Sequence, residues 1–284
     1  MSQQGTRALP PATTPEPSTV PKLRLRAVRK VFETARGEPV VALDDVSFDV
    51  GTGEFVCVVG PSGCGKTTLL HLLAGLDRPS GGEVLLDGTL VPGPAPDRAL
   101  LFQEPALFPW LSVAGNVELA LRLAGVPRED RRDRTARWLE AVHLGRFAGA
   151  QPHELSSGMR QRAALARALA CEPAVLLADE PFASLDAQTR EILQNELQGV
   201  WQETGVTLVF VTHNVREAVF LADRVLLMSA PPGTLTLEER ITAPRPRDYE
   251  DVLMAKVTVD IHDHLRKEVA KVVAREIGDR PDRA

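Results

Sequence analysis

A glycine-rich stretch in the first quarter of the chain has residue types that could bind phosphate. It fits the pattern of glycine, four residues and Gly-Lys-Ser/Thr, and an apolar run at 54–59 precedes it. Glycines let backbone N–H groups surround an anion, and a helix that begins there adds the positive end of its dipole. Lys66 supplies a cation for the β- and γ-phosphates, and the Thr67 hydroxyl can bind Mg²⁺. The pattern predicts a nucleotide site formed by Gly60, Pro61, Ser62, Gly63, Cys64, Gly65, Lys66, Thr67 and Thr68.

Two adjacent carboxylates could supply the chemistry that a bound nucleotide needs. Asp179 and Glu180 follow four apolar residues, 175–178, that are typical of a buried strand. The ends of parallel strands lie at one edge of a sheet, so we expect this pair beside the phosphate-binding loop. Asp179 is suited to holding Mg²⁺, and Glu180 is suited to polarising an attacking water. The alternative is an acidic turn without a catalytic role, and the presence of the loop favours the catalytic interpretation.

The composition argues against some classes of protein. The chain has 284 residues, a net charge of −5 and only 5% aromatic residues, which does not favour a nucleic-acid partner. No apolar run reaches the roughly 18 residues of a membrane span. Three cysteines, Cys57, Cys64 and Cys171, indicate free thiols in a reducing cytosol. Cys64 lies in the phosphate-binding loop, where it is either a small loop residue or a thiol whose oxidation would block the site.

The order of apolar and polar segments predicts an α/β protein. Strands separated by helices favour a mostly parallel sheet with helices on both faces. The mostly helical stretch 103–170 is predicted to be inserted between two strands, and 116–144 within it is predicted to be helical. The buried strands are predicted at 54–59, 99–102, 175–178, 206–212 and 225–228.

The two ends of the chain have a different character. Residues 1–22 are rich in Pro, Thr, Ser and Gln, which predicts a disordered tail. A Pro-Arg-Pro-Arg stretch at 244–247 is predicted to be a linker, and 259–277 is predicted to be a helix of mixed charge. The acidic and histidine residues at 260–264 could be considered a metal cluster, but their spacing favours a solvated helix start. Similarly, the charged block 128–137 is predicted to be a solvated helix face, with a docking surface as the alternative.

A helix start with serines and a glycine provides a second candidate anion site. Backbone amides and a serine hydroxyl could bind an anion there, although an ordinary serine cap has the same local sequence. The stretch is Leu155-Ser156-Ser157-Gly158-Met159-Arg160-Gln161-Arg162. It resembles the signature motif of the ABC ATPases, the ATP-binding cassette family. The resemblance covers residues 23–247 and includes several motifs of that family in the right order.

The resemblance implies a fold and a division into domains. The expected fold is α/β, a P-loop NTPase core with a mostly parallel sheet, an N-terminal antiparallel β subdomain and an inserted helical subdomain. The implied cassette spans 23–247, with its helical subdomain at about 103–170. A disordered tail at 1–22 precedes it, and a C-terminal helical extension at 248–284 follows it.

The resemblance also implies roles for single residues. Phe32 matches the aromatic position that stacks on adenine, with a core aromatic as the alternative. Gln103 matches the glutamine that senses Mg²⁺, the attacking water and the membrane partner. His213 matches the histidine that contacts the γ-phosphate and holds the attacking water. Glu180 and His213 would then be catalytic, and Thr67, Gln103 and Asp179 would hold the metal.

The signature motif implies that the chain acts as a pair. In the family two cassettes meet head to tail, and each ATP lies between the phosphate-binding loop of one and the signature helix of the other. Ser156, Ser157 and Gly158 would therefore contact the ATP of a second copy or of a homologous cassette. Ser157 departs from the family pattern, which usually has a glycine there, and this affects how closely the backbone approaches the γ-phosphate.

Details outside these motifs are similar to the nitrate, sulfonate and taurine importers. Phe108 and Trp110 follow Gln103 and are either contacts for a membrane subunit or core residues. The implied protein is an ATPase on the cytoplasmic face of the membrane, with integral permease subunits and, indirectly, a periplasmic or lipid-anchored solute-binding protein as partners. The alternatives are a non-transport ABC ATPase acting on a macromolecular complex and a regulatory subunit without turnover.

Overall fold

The computed structural model describes residues 20–34, 37–249 and 251–278. Most of the predicted disordered tail, and the end of the C-terminal extension, lie outside the described residues. The strands are β1 Leu23–Glu33, β2 Pro39–Val50, β3 Phe55–Val59, β4 Gly81–Leu86, β5 Thr89–Leu90, β6 Arg98–Leu101, β7 Val175–Asp179, β8 Thr207–Thr212, β9 Arg224–Met228 and β10 Leu235–Arg240. The helices are α1 Lys66–Ala74, α2 Val113–Leu123, α3 Arg128–Ala141, α4 Ser157–Leu169, α5 Ala187–Thr204, α6 Val215–Leu221 and α7 Val252–Gly278.

The larger sheet has the strand order β10-β9-β3-β8-β7-β6. All neighbouring strands in it are parallel except β10, which is antiparallel to β9. Val59 pairs with Thr212, Asp179 with Val211, and Leu101 with Ala178, so four strands end at the same edge. The predicted α/β fold with a mostly parallel sheet is confirmed.

A smaller antiparallel sheet lies in the N-terminal part of the chain, in the order β2-β1-β4-β5. Its strands alternate buried and exposed residues, as expected when one face packs on the core. The hairpin between β4 and β5 turns at Asp87 and Gly88, which both have positive φ. The antiparallel part of the predicted fold is therefore confirmed as well.

The larger sheet is buried on both faces, which explains why its strands are short continuous apolar runs. Phe55, Cys57 and Val59 of β3 pack with α5, α6 and the helices between β6 and β7. Val56 and Val58 pack on the opposite side with the leucines of α1 and the antiparallel sheet. Because both faces are packed, the strand ends are held in fixed positions, and any functional side chain on them is held as well.

The helical region between β6 and β7 contains α2, α3 and α4. The prediction of a helix throughout 116–144 was wrong, since α2 and α3 are separated by a turn. Gly125 has a φ of 80° there, and Pro127 precedes the first residue of α3. A proline restricts the residue before it to extended conformations, so the helix ends before this turn. The charged block at 128–137 lies in α3, where most of its residues are exposed.

The segment 244–247 was predicted to be a linker, but it is packed against the end of α6. Arg247 is only 8% exposed, and its guanidinium donates to the carbonyls of Val219, Phe220 and Ala222 at the end of α6. These carbonyls have no partner inside the helix, and the arginine satisfies them. The prediction failed because a proline- and arginine-rich sequence is typical of both exposed linkers and buried caps.

The loop between β9 and β10 contacts both the C-terminal helix α7 and the phosphate-binding loop. Glu268 of α7 accepts a hydrogen bond of 2.9 Å from the backbone N–H of Ala230, in the loop between β9 and β10. In that loop, a Cβ atom on Gly233 would lie 2.1 Å from the carbonyl oxygen of Cys64, so only glycine fits this approach. None of the helices in the described part of the chain is long and apolar enough to cross a membrane.

Candidate nucleotide-binding and catalytic site

The parallel strands bring most of the predicted site residues to one edge of the larger sheet. The phosphate-binding loop follows β3, Gln103 follows β6, Glu180 follows β7 and His213 follows β8. These strands are neighbours in the order β3-β8-β7-β6, so the residues line one crevice. Crevices at the carboxyl ends of parallel strands are the usual ligand sites of such sheets.

The phosphate-binding loop has the backbone that its glycines permit. Gly65 lies at a φ of 97°, and a Cβ atom there would come within 2.7 Å of the Leu43 side chain. Lys66 is 6% exposed, and its Nζ donates to the carbonyls of Gly60 and Pro61 at 2.9 Å each. The loop thus wraps around the lysine ammonium, which is held at the start of α1. Ser62, Gly63 and Thr67 are exposed at this surface, and Thr68 is partly buried.

Cys64 points into the protein and not into the crevice. Its side chain is fully buried, and burial raises the pKa of its thiol above 9.0. Oxidation proceeds through the thiolate, which this environment disfavours. The structure therefore favours the interpretation of Cys64 as a small packing residue over the redox interpretation.

The side chains of Asp179 and Thr67 are hydrogen-bonded to each other close to Lys66. Burial raises the pKa of the Asp179 carboxyl above its ordinary 3.8, and the charge of Glu180 adds to this. A hydrogen bond with the Thr67 hydroxyl acts in the opposite direction. A carboxylate and a hydroxyl side by side are the hard ligands that Mg²⁺ prefers. The residues present therefore fit the predicted metal.

Glu180 and His213 lie in direct contact although they are 33 residues apart. Oε2 of Glu180 is 2.6 Å from Nδ1 of His213, and the Glu180 side chain is 21% exposed while that of His213 is 62% exposed. A carboxylate only accepts, so the histidine donates from Nδ1 and its Nε2 remains available to a ligand. Glu180 has a φ of 44°, a strained conformation that its N–H bond to the Val211 carbonyl helps to hold.

Phe32 and Gln103 both have exposed side chains. Phe32 is 41% exposed near the end of β1, with the Nζ of Lys30 4.8 Å from its ring centroid. This exposure excludes the alternative that Phe32 is a core residue. Gln103 is exposed two residues beyond the end of β6. Both side chains are accessible to a ligand.

The signature residues lie at the start of α4, on the helical insertion and not at the end of a strand. The Ser156 hydroxyl accepts from the N–H of Met159 at 3.2 Å and caps α4, which packs against α2, α3, α5 and β6. Ser157 is exposed. Gly158 is buried against α5, where an added Cβ would lie 2.6 Å from a methyl group of Thr189. Gly158 therefore also has a packing role, which the sequence did not indicate.

The loop after Gln103 presents an exposed tryptophan on a rigid support. Trp110 is 72% exposed and packs on Phe108 with ring centroids 5.5 Å apart. The buried Asn116 of α2 bonds to the N–H and carbonyl of Phe108 and to the carbonyls of Leu111 and Ser112. This exposure excludes the core interpretation of Trp110. Sequence reasoning missed Asn116, whose only signal was a polar residue at the start of an amphipathic helix.

The cluster at 260–264 lies within α7, and the described parts of the chain contain no group of three or more His, Cys, Asp or Glu side chains that could hold a metal ion. The helix start that we predicted there was wrong, because α7 begins at Val252.

Comparisons with known proteins agree with this geometry. The family model for ABC transporters matches residues 43–183. An uncharacterised ABC transporter ATP-binding protein of Methanocaldococcus jannaschii is 47% identical over 250 residues, 88% of this chain and 93% of that protein. The nitrate import ATP-binding protein NrtD of Synechocystis sp. is 48% identical over 222 residues, 78% of this chain and 83% of that protein. The taurine import ATP-binding protein TauB of Rhizobium johnstonii is 50% identical over 204 residues, 72% of this chain and 78% of that protein.

A solved structure extends the likeness to three dimensions. It is a dimeric post-hydrolysis state of an ATP-binding cassette bound to ADP and Pi. It superposes with a TM-score of 0.68 at 34% identity, covering 78% of this chain and all of that chain. Because the sequence relatives align over most of their own length and the sheet edge carries the phosphate-binding loop and the acidic pair, the chain belongs to the ATP-binding proteins of ABC transporters, and it binds and hydrolyses ATP.

Proposed function

We propose that this chain is the ATP-hydrolysing subunit of an importer for nitrate, taurine, sulfonates or a related small solute. The observation that supports the ATP-hydrolysing role is the contact between Glu180 and His213 at the sheet edge where the phosphate-binding loop lies. The nitrate and taurine importers among its relatives support the importer branch. They give no support to a non-transport ATPase acting on a macromolecular complex.

The crevice would bind ATP through the ring of Phe32, the backbone amides of the phosphate-binding loop and the ammonium of Lys66. The exposed ring of Phe32 stacks on the adenine, and the backbone amides of residues 60–68 surround the phosphates. Lys66 exchanges its two carbonyl partners for the β- and γ-phosphates, since a phosphate is a stronger acceptor for an ammonium than a carbonyl. Thr67, Gln103 and Asp179 would hold Mg²⁺, which when bound neutralises charge on the phosphates.

Glu180 is the general base for ATP hydrolysis in this proposal. Its carboxylate takes a proton from the attacking water, while His213 contacts the γ-phosphate through Nε2 and keeps the carboxylate oriented through Nδ1. A positioned base contributes about 10²- to 10⁴-fold in rate. The regulatory alternative without turnover is disfavoured because Asp179, Glu180 and His213 are all present and adjacent to the loop.

Two copies would act together. The hydroxyl of Ser156 and the backbone at Ser157 and Gly158 are exposed or lie at a helix start, where they can bind the γ-phosphate of an ATP held by the partner. ATP then joins the two copies, and hydrolysis separates them. The binding energy of closure is what moves the membrane subunits between two states.

The exposed face of Phe108 and Trp110 is the proposed contact with the permease subunits. An exposed aromatic on a rigid support is typical of a contact that carries binding energy. Its position just after Gln103 connects that contact with the nucleotide site. The chain would then lie peripherally on the cytoplasmic face of the membrane, and a periplasmic or lipid-anchored solute-binding protein would act on it indirectly.

Growth of a strain that lacks this gene tests the proposal. We expect the strain to lose growth on nitrate, taurine or a sulfonate as sole nitrogen or sulfur source, and the wild-type gene to restore it. The Glu180→Gln gene should fail to restore growth although its product binds ATP. Unimpaired growth on all these solutes, with the protein recovered on ribosomes or another macromolecular complex, would overturn the importer assignment.

A matched pair of variants tests the permease contact. Trp110→Ala should abolish co-purification with the permease subunits while basal ATPase activity stays unchanged. Leu123→Ala removes a side chain that is 73% exposed on α2 and should change neither property. Retained assembly in the Trp110→Ala protein would show that the contact lies elsewhere.

A further inference from the structure

A continuous network of buried and partly buried hydrogen bonds connects the C-terminal part of the protein to the residue that precedes His213. The Tyr249 hydroxyl donates to Oε1 of Gln194, and Nε2 of Gln194 donates to Oε1 of Glu217 at 2.8 Å. The Thr212 hydroxyl donates to the other oxygen, Oε2, of Glu217. These bonds converge on the Glu217 carboxylate from two sides, and each of them pairs a donor with an acceptor, so together they specify one arrangement of the carboxylate.

This hydrogen-bond network reaches the residues on both sides of His213. The Thr212 hydroxyl, which donates to Glu217, also accepts from the N–H of Asn214 at 3.0 Å. The Asn214 side chain in turn accepts from the N–H of Glu217 at 3.3 Å and caps α6. The backbone before and after His213 is therefore tied to the Glu217 carboxylate. A shift of that carboxylate would move the imidazole, whose Nδ1 lies 2.6 Å from Glu180.

The buried carboxylate of Glu217 lies beside Glu180 and His213. Thr212, Glu217, Glu180 and His213 line a common cavity of about 20 Å³. Glu217 is 5% exposed, and Gln194 and Thr212 are 2% exposed. A buried carboxylate is costly unless its hydrogen bonds are satisfied, and here Gln194 and Thr212 satisfy both oxygens. Such a network contributes more to fixing a geometry than to net stability.

The tyrosine lies outside the sheet but is held firmly. Its ring stacks on Phe220 of α6, with centroids 4.1 Å apart and an angle of 7° between the planes. The charged groups that face the network are Arg190 and Glu191 of α5, Arg216 of α6 and His213 itself. Arg190 donates to the carbonyls of Phe182 and Leu185, in the segment that follows Glu180.

We propose that Glu217 is a positioning residue for His213, and that Gln194 and Tyr249 fix the orientation of its carboxylate. The C-terminal extension thereby contributes to the geometry of hydrolysis. This inference rests on the proposed role of His213. It assigns no contact with ATP to Glu217, whose effect passes through Thr212 to the histidine.

Steady-state ATPase measurements on matched variants test the inference. Tyr249→Phe removes only the hydroxyl and keeps the stacked ring, and Glu217→Gln keeps the shape of the side chain. We expect kcat to fall about tenfold in Glu217→Gln and about threefold in Tyr249→Phe, with KM for ATP unchanged, because small displacements of reacting groups lower the rate of the chemical step. Gln198→Leu is the control. Gln198 is a buried amide one turn further along α5 that bonds to Phe220 instead, and its loss should leave kcat unchanged.

A spectroscopic readout separates positioning from a general loss of stability. In ¹⁵N-histidine-labelled protein the imidazole signals of His213 should move in Glu217→Gln and Tyr249→Phe, and not in Gln198→Leu. Wild-type kcat together with an unmoved His213 signal in Tyr249→Phe would overturn the inference, whether or not Glu217→Gln folds. Failure of the role of His213 itself is distinct, because His213→Gln would then retain full turnover.

Discussion

Asn116 gives a sharp test of how the tryptophan loop is held. Its side chain is fully buried and makes four hydrogen bonds to the backbone of the segment 108–112. In the Asn116→Ala protein the Phe108 carbonyl keeps a bond from the N–H of Leu111, and the Ser112 carbonyl keeps one from the N–H of residue 116. The Phe108 N–H and the Leu111 carbonyl keep no other partner among the described residues.

Two unsatisfied backbone groups set the expected magnitude. Each costs about 1–3 kcal/mol when it is buried and less where water reaches it. Phe108 and Leu111 are partly buried, so we expect a loss of about 2–4 kcal/mol in the free energy of unfolding. The assay is urea denaturation, with the loss read from the midpoint at an unchanged m-value.

The matched control is Asn195→Ala. Asn195 is an exposed residue of α5 that bonds only within its own helix, to the carbonyl of Glu191. Both substitutions replace a helical asparagine by alanine, so the difference between them isolates the buried bonds. A difference below about 0.5 kcal/mol would refute the view that Asn116 holds the loop.

Three further predictions follow from buried groups. Arg247→Met should lower the free energy of unfolding by about 3 kcal/mol in urea denaturation, because the carbonyls of Val219 and Ala222 lose the guanidinium that donates to them. Arg240→Met, on the exposed surface of β10, is the control, and an equal effect would exclude the capping role. Burial raises the pKa of Glu217 above its ordinary 4.5, so the wild-type protein loses stability as the pH rises from about 4.5 through the raised pKa. The melting temperature of Glu217→Gln relative to wild type should therefore increase with pH above about 4.5, and a pH-independent difference would contradict this. Burial also raises the pKa of the Cys64 thiol, which disfavours the thiolate that an oxidant attacks. ATP binding, measured by fluorescence titration, should therefore survive treatment with a thiol oxidant. Loss of binding in wild type but not in Cys64→Ala would restore the redox interpretation.

The sequence predicted the sheet and the crevice because their signals are local. Buried parallel strands are continuous apolar runs, and the phosphate-binding loop combines fixed residue types with a strand before it and a helix after it. The positions of Glu180 and His213 follow from the rule that parallel strands end at one edge. Their direct contact could not be predicted, since it depends on the register between β7 and β8.

The errors and omissions concern polar residues whose partners are distant in the chain. Arg247 and Glu217 lie in stretches that are typical of a linker and of a helix surface, and their burial depends on the packing of α6. The turn at Gly125 and Pro127 did have a local signal, which the helical character of the flanking residues obscured. The packing role of Gly158 depends on the approach of α5, and no pattern within α4 indicates it.

The central claim is that ATP joins two copies of this chain, and the mass of the Glu180→Gln protein in solution tests it most directly. By light scattering, this variant with saturating ATP and Mg²⁺ should have twice the mass of one chain, and it should return to the mass of one chain when ADP replaces ATP. A mass of one chain at saturating ATP, with nucleotide binding verified in the same sample, would contradict the account.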